Sequence, residues 1–377
     1  MSDIGNQVAL ARPSSQLPVT WYFDEKLYQQ ELHQLFAPSA RYVGTRLMVP
    51  EHGDYYALPQ EDHGRALVHN ERGIELISNV CRHRQAVMLE GRGNTGGKNI
   101  VCPLHRWTYD LKGELIGAPH FAENPCLNLR RSPTLEWNGL LFEDSGSQLS
   151  REVLAELETS KFAKYFDFTG YRLDHVEMHE CNYNWKTFIE VYLEDYHVVP
   201  FHPGLGKFVN CGNLAWEFGK HFSVQTVGLL DSLGKPGSRT YEQWHNQCRK
   251  YFDNGNSLPE FGAVWMTVYP NIMLEWYPGV LTVSTLHPMG MGRTMNIVEF
   301  YYPEEICWFE REFVDAQRAA YMETAIEDDE IAERMDRGRR ALLNRGINEV
   351  GPYQSPFEDG MLHFHEYLRR ELGRPSI

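Results

Sequence analysis

Two short segments restrict the fold of this chain more than anything else in it: Cys81-Arg82-His83 and Cys102-Pro103-Leu104-His105, separated by eighteen residues. Each offers one thiolate and one imidazole. A lone cysteine or histidine near a strand end is usually a core or surface residue, but two tight Cys–His pairs ask both loops to meet at one point. Two metal centres use such a set. A structural zinc ion takes Cys₂His₂, although zinc fingers usually pair cysteine with cysteine and histidine with histidine along the chain. A binuclear iron–sulfur centre, with both thiolates on one iron and both imidazoles on the other, suits the order found here. Exchanging two thiolates for neutral imidazoles lifts its potential to roughly −150 to +300 mV. The surrounding residues read as β structure. From Arg41 to about Leu141, the runs RYVGTRLMV, RALVH, IELISNV and NIVCPL are divided by Gly, Pro and Asn.

The rest of the chain has a different texture. FDEKLYQQELHQLF, residues 23–36, has helical spacing and reads as a short docking helix. A polar helical connector near 148–165 is followed by a strand, RLDHVEMHECNY, and a helical stretch, WKTFIEVYLEDYHV, stopped by Pro200 and Pro203. AVWMTVY, IMLEWY, VLTVSTL and MNIVEFYY read as antiparallel strands joined by turns. Helical patterns then run from about Glu304 to Leu343 and from Gly360 to Leu372. These spans divide the chain into a docking segment (1–40), a β domain (41–150) and an α+β domain (151–377).

Composition narrows the partners. A hydrophobic share of 42% with 23% charged residues is ordinary for a globular protein. A formal charge of −15 argues against nucleic acid or an anionic membrane as a partner. Met1 to Pro18 lacks the pattern of a secretory signal, and no run approaches the length of an apolar membrane span. Seven scattered cysteines do not form a disulfide framework, so a cytoplasmic location is expected.

A second constellation lies in NWKTFIEVYLEDYHVVPFHP, residues 184–203, where His197 and His202 stand five apart. On a continuous helix their rings would diverge. A helix ending near His197, with proline forcing a turn, could swing His202 back to the same point. The plain alternative is one capping and one loop histidine.

The segments NVCRHRQAVMLEGRG and IVCPLHRWTYDLKGELIGAPHF resemble the two cluster-binding loops of Rieske domains. The Pro after the second Cys and the Trp-x-Tyr beyond it belong to that likeness, and Gly113 and Gly117 fit its turns. Gln85 and Arg106 stand where glycines are frequent. Residues 184–203 resemble the iron-binding segment of Rieske non-haem iron oxygenase large (alpha) subunits, acidic-x-x-His-x₄-His, filled by Glu194, His197 and His202. The likeness runs from LPVTWYFDEKLY to GMLHFHEYLRREL, nearly the whole chain.

The resemblance implies an N-terminal all-β Rieske domain followed by a helix-grip catalytic domain of antiparallel sheet and long helix. It implies a [2Fe-2S] cluster on Cys81, His83, Cys102 and His105, and Fe(II) on His197, His202 and a carboxylate. Within IEDDEIAERMDRG, counting five back from Glu333 selects Asp328, with Asp329 as the nearest competitor. Glu194 takes the family's catalytic bridging place, linking a cluster histidine (His105) of one subunit to His197 of the next. Aspartate is common there, and glutamate resembles the carnitine oxygenase and quaternary-amine branch. Glu190 reads either as a group supporting the iron histidines or as a surface ion-pair partner.

The implied activity is O₂-dependent hydroxylation of a small organic substrate, with electrons from a separate NAD(P)H-dependent flavin/iron–sulfur reductase, by a homotrimer. No Gly-x-Gly-x-x-Gly follows a strand, so no dinucleotide site is expected in this chain. Trp265, Tyr269, Trp276 and Tyr277, with Met266 and Met273, are candidates for a wall holding a quaternary amine or an arene. An electron-transfer protein without catalytic iron and a zinc-stabilised binding module are the competing classes.

Overall fold

The computed structural model describes residues 15–230, 235–253 and 259–373. Residues 1–14 of the expected docking segment, most of the stretch read for a secretory signal, and the last four residues of the 151–377 domain lie outside them. The chain divides into two units, one made of Pro38–Thr159 with Phe166–Leu173, the other of the described residues of Met1–Ala37, Ser160–Tyr165 and Asp174–Ile377.

The first helix, α1 (Glu25–Glu31), starts where the Asp24 side chain accepts the backbone N–H groups of Lys26 and Leu27, at 2.8 and 3.1 Å. That caps two donors a helix start leaves unpaired. A π-helical turn, Leu32–Phe36, continues it. Trp21, Tyr22, Leu27 and Leu35 pack with Trp185, Ile189, Met361 and Phe364, so this segment is part of the larger unit's core.

In the smaller unit, β1 (Tyr42–Thr45), β2 (Asp54–Ala57), β3 (Arg65–Asn70), β4 (Gly73–Ser78), β5 (Arg92–Asn94), β9 (Arg131–Trp137) and β10 (Leu140–Glu143) form one sheet in the order β1-β10-β9-β4-β3-β2-β5. β6 (Asn99–Val101), β7 (Thr108–Asp110) and β8 (Leu115–Gly117) form a smaller three-stranded one. The helix α2 (Gln148–Leu157) closes the unit. Cys81 follows β4 and Cys102 follows β6. Both thiols are buried among Ile77, Ile100, Trp107, Tyr109 and Leu129.

The larger unit is built on a second seven-stranded sheet. β11 (Tyr171–Cys181) lies beside β17 (Arg293–Pro303), and the order then runs back through β16 (Val280–Gly290), β15 (Ile272–Tyr277), β14 (Ala263–Val268), β13 (Phe222–Leu229) and β12 (Val209–Phe218). Neighbours from β12 to β17 pair antiparallel. The helices are α3 (Trp185–Tyr192), α4 (Val198–Phe201), α5 (Arg239–Asp253), α6 (Glu304–Phe309), α7 (Arg311–Asn344) and α8 (Asp359–Glu371). Phe313, Val314 and Ala320 of α7 pack on Trp265, Val280, Val298 and Phe300 of the sheet. This is the expected α+β arrangement, an antiparallel sheet gripping a long helix.

Three details differ from the sequence reading. β12 and β13 were not anticipated. The late helix is two, broken at Glu310, which leaves the helical conformation at φ −122°, ψ 56°. And α3 stops at Tyr192, five residues short of His197, because Leu193 turns out of the helix and the Asp195 N–H bonds to Phe357 O at 3.0 Å.

Glu190 is neither a surface group nor a neighbour of the iron-segment histidines. It is buried on α3, where it meets Arg339 of α7 at 2.5 Å, His365 of α8 at 2.9 Å and the Tyr22 hydroxyl. Burial alone would raise its carboxyl, but Arg339 and His365 hold it down to about 2. A carboxyl depressed in the fold contributes stability above its ordinary value and loses it as pH falls towards about 2. Glu190→Gln strands the Arg339 charge. It is expected to cost roughly 3–5 kcal/mol in urea unfolding near neutral pH, with the deficit shrinking below about pH 4.

Candidate metal centres and substrate cavity

The two cysteine loops are built alike. Cys81 N–H donates to Ala86 O (2.9 Å) and Gln85 N–H to Cys81 O (3.1 Å); Cys102 N–H donates to Trp107 O (2.8 Å) and Arg106 N–H to Cys102 O (3.1 Å). Each turn closes through a left-handed residue at its fourth step, Gln85 at φ 55° and Arg106 at φ 61°. These are the two positions where glycines are frequent in the loops these segments resemble, and glycine adopts a left-handed backbone without strain. An L-residue there costs on the order of 1–2 kcal/mol, and both side chains point to solvent, so nothing collides.

The loops bring the His83 and His105 rings to 4.6 Å, with His83 stacked on Trp107 at 5.0 Å and 8°. Cys81 and Cys102 are free, buried thiols. The buried His83 Nδ1 has no hydrogen-bond partner among the described residues. An orphaned imidazole nitrogen beside two buried thiols is costly in protein alone. The set fits a metal cluster. The Tyr109 hydroxyl accepts the Arg82 N–H at 3.1 Å and lies 3.7 Å from Cys81 Sγ.

In the larger unit, His197 and His202 flank the single turn of α4 as its N-cap and C-cap. Their Nε2 atoms stand 3.0 Å apart, and Asp328 Oδ1 of α7 lies 3.3 Å from His197 Nε2 and 3.0 Å from His202 Nε2. Carboxylates hold the far sides of both rings. Glu194 meets His197 Nδ1, and Glu327 Oε2 meets His202 Nδ1 at 2.7 Å. An Nδ1–H donated to a carboxylate leaves the Nε2 lone pair free, which is the tautomer a metal needs. Burial opposes charge on His197, yet Asp328 and Glu194 push it up to about 10, so the pocket's field favours a cation. Three donor atoms converging on one point fit a 2-His-1-carboxylate ion.

Beyond the end of α3, Glu194 Oε2 also accepts the His197 backbone N–H at 3.1 Å, closing the turn. Asp329 turns away from the pair to His179 and to the Tyr183 hydroxyl at 2.6 Å. Glu327 was not singled out from sequence, though it stands in the same acidic run.

A cavity of about 120 Å³ opens on the triad. Of the six wall candidates, Trp265 and Tyr277 line it. Tyr269 and Met273 belong to the core around Trp21, Leu286 and Phe364. Met266 and Trp276 lie on the opposite face from Trp265 and Tyr277, because side chains alternate along a strand; Trp276 packs edge-on to Tyr165. The same register sets Glu275 directly across from Trp265, on the cavity face. Glu275 was missed, and its one sequence signal is a lone carboxylate in the apolar run IMLEWY. It accepts hydrogen bonds from Tyr277 (2.8 Å) and Tyr321 (3.4 Å).

Comparison with known proteins gives a consistent picture. The family model described as "Rieske [2Fe-2S] domain" matches residues 36–131, and that described as "Ring hydroxylating alpha subunit (catalytic domain)" matches residues 168–374. The chain is 64% identical over 372 residues to a putrescine 2-hydroxylase of Ralstonia nicotianae, covering 99% of this chain and all of the relative. It is 56% identical to a putrescine 2-hydroxylase of Bordetella bronchiseptica, covering 99% and 88% of the two chains. A solved quaternary ammonium Rieske monooxygenase, bound to an inhibitor, superposes with a TM-score of 0.75 over 96% and 97% of the chains at 20% identity, a likeness of fold.

Burial, with the Asp328 charge adding to it, pushes Glu275 up to about 7 from its ordinary 4.5. The fold therefore favours the neutral acid, and stability falls as pH rises from about 4.5 to about 7, then levels. A rise of that size corresponds to about 3 kcal/mol. Glu275→Gln is expected to match the wild type near pH 4 and to exceed its stability above pH 7, by an amount up to about 3 kcal/mol. A stability difference independent of pH would contradict this.

Proposed function

The chain belongs to the ring-hydroxylating Rieske oxygenase alpha subunits, and from that premise we propose that it hydroxylates a short primary diamine, putrescine first among them. It is an oxidoreductase that incorporates oxygen, with a [2Fe-2S] cluster and a mononuclear Fe(II) as cofactors, and it works with O₂, a small substrate and a separate reductase. The observation that carries the substrate reading is full-length identity of 64% to a putrescine 2-hydroxylase. The sequence alone leaned towards a quaternary amine; these relatives move the reading to a primary one.

Cys81 and Cys102 would hold one iron of the cluster, His83 and His105 the other, and His197, His202 and Asp328 the catalytic iron. When bound, the cluster supplies single electrons and the ferrous ion supplies open positions for O₂ beside the substrate. The balance is a carbon–hydrogen bond, O₂, two electrons and two protons giving an alcohol and water. The residues of this chain prepare that step. Glu194 and Glu327 fix the ring planes and keep both Nε2 lone pairs inward. Asp328 supplies a negative oxygen to the same point. Trp265, Tyr277 and Tyr321 wall the cavity and limit water.

The finer partners belong to the same proposal. Glu194 bridges His197 to His105 of a neighbouring copy, which a closed head-to-tail trimer permits. Tyr196 (60% exposed) and Val199 (62%) beside the iron histidines, and Leu104 (57%) beside His105, support an apolar contact there. An NAD(P)H-dependent flavin/iron–sulfur reductase is the expected donor. Seven free cysteines favour a reducing cytoplasm. Among the described residues, no helix is long and apolar enough to cross a membrane.

Anaerobically purified protein is expected to hold about three irons and about two acid-labile sulfides per chain. His197→Ala and Asp328→Asn should each lose about one iron and keep the sulfide, while Asp329→Asn keeps all of it. Iron unchanged in His197→Ala would leave an electron carrier. With a reductase and O₂, putrescine should yield a mono-hydroxylated diamine by mass spectrometry; turnover of choline or carnitine in its place would overturn the diamine reading. Glu194→Ala, with both centres loaded, is expected to lose roughly 10–100-fold in turnover, and normal turnover would remove the bridge.

A further inference from the structure

A buried carboxylate needs a compensating charge or strong hydrogen bonds, or it must take up a proton. Among the described residues, Glu275 has hydroxyl partners and no ion pair with Lys, Arg or His. It is 3% exposed, on a strand otherwise made of apolar and aromatic residues, and it faces the cavity that holds the iron triad. This contrasts with Glu31 and Glu190 of the same unit, matched to the buried Lys186 and the partly buried Arg339.

The surroundings of Glu275 are those of a cation site. Trp265, directly across on β14, donates its Nε1–H to the Tyr277 hydroxyl at 2.9 Å, and that hydroxyl donates to Glu275 Oε2. Rings at Trp265, Tyr277, Tyr321 and Tyr192 line this part of the cavity and offer π faces to a positive charge. The buried Tyr192 hydroxyl has no hydrogen-bond partner among the described residues, a second independent sign of a missing polar group. Tyr321 and Asp328 are seven residues apart on α7. Two turns of helix put them on one face about 10 Å apart along the axis.

We infer that Glu275, with the hydroxyls of Tyr277, Tyr321 and Tyr192, is the ammonium-binding end of the substrate cavity, holding one terminal –NH₃⁺ of a short alkyl diamine while its carbon chain extends towards the iron triad. The inference rests on the diamine reading and adds the group that selects the charge. A primary ammonium carries three N–H donors, which match a carboxylate and an unpaired hydroxyl. A quaternary ammonium carries none, and the neutral diol of the same chain length carries no charge.

Calorimetric titration of the iron- and cluster-loaded protein with putrescine, and separately with that diol, tests the assignment. Removing one partner of a buried charge pair is costly, so Glu275→Gln is expected to weaken putrescine binding on the order of 30-fold or more, and Glu275→Asp by less. Diol binding should stay within about threefold of wild type in both variants, which separates loss of charge from collapse of the cavity. Iron, sulfide and the reduced-cluster EPR signal provide the folding control. Wild-type binding of putrescine with less than about threefold weakening in Glu275→Gln overturns the anchor and leaves the diamine reading intact. Parallel loss of diol and putrescine binding also overturns it, as a packing effect. Absence of putrescine binding by the wild type overturns the diamine reading, and the anchor with it.

Discussion

Every charge taken out of water in the larger unit must be met by another charge, by hydrogen bonds or by a ligand, and that requirement sorts its carboxylates by role. Glu31 is closed off by Lys186 and the Trp185 indole, and Glu190 by Arg339, His365 and Tyr22. These tie the N-terminal segment, α3, α7 and α8 together and have nothing left to offer a ligand. Among the described residues, Glu194, Glu327 and Asp328 are met by histidines, groups that can offer their second nitrogen to a metal. Among the described residues, Glu275 is met only by hydroxyls. Glu194, Asp328 and Glu275 all line the cavity, whereas Glu31 and Glu190 do not.

The four residues proposed to hold the cluster were legible in the sequence because they are local. A Cys-x-His and a Cys-x-x-His each place two donors within one turn, and the two loops repeat one hydrogen-bond scheme. His197 and His202 were legible for the same reason, and their separation was understood as a turn even though the helix before them ends earlier than its pattern implied. The aromatic wall was not. Trp265 faces the cavity while Met266, its neighbour, does not, and the phase of that alternation is set by strand pairing that no local window contains. Glu275 was hidden likewise, since its partner Trp265 is ten residues away and Tyr321 lies on another element. β12 and β13 carry mixed patterns, and their place is fixed by the strands beside them.

The acidic run on α7 shows how far helix geometry alone can sort neighbours. Successive residues on a helix are turned by about 100°, so Glu327, Asp328 and Asp329 cannot all serve one site. Glu327 goes to His202 Nδ1, Asp328 to the facing Nε2 atoms of His197 and His202, and Asp329 to His179 and Tyr183. A stretch that could pass for a solvated acidic face is thus a clamp on three histidines from two other elements. Asp328 is the member of the run whose oxygen lies on the free side of both rings. Its neighbours brace it: Glu327 orients one ring from behind, and Asp329 fixes the rotation of α7 against β11. A shift of one residue along this helix would turn Asp328 off the pair and set Asp329 in its place. Asp329 is held away from the pair by His179 on β11 and by Tyr183 just past its end, about 150 residues earlier in the chain.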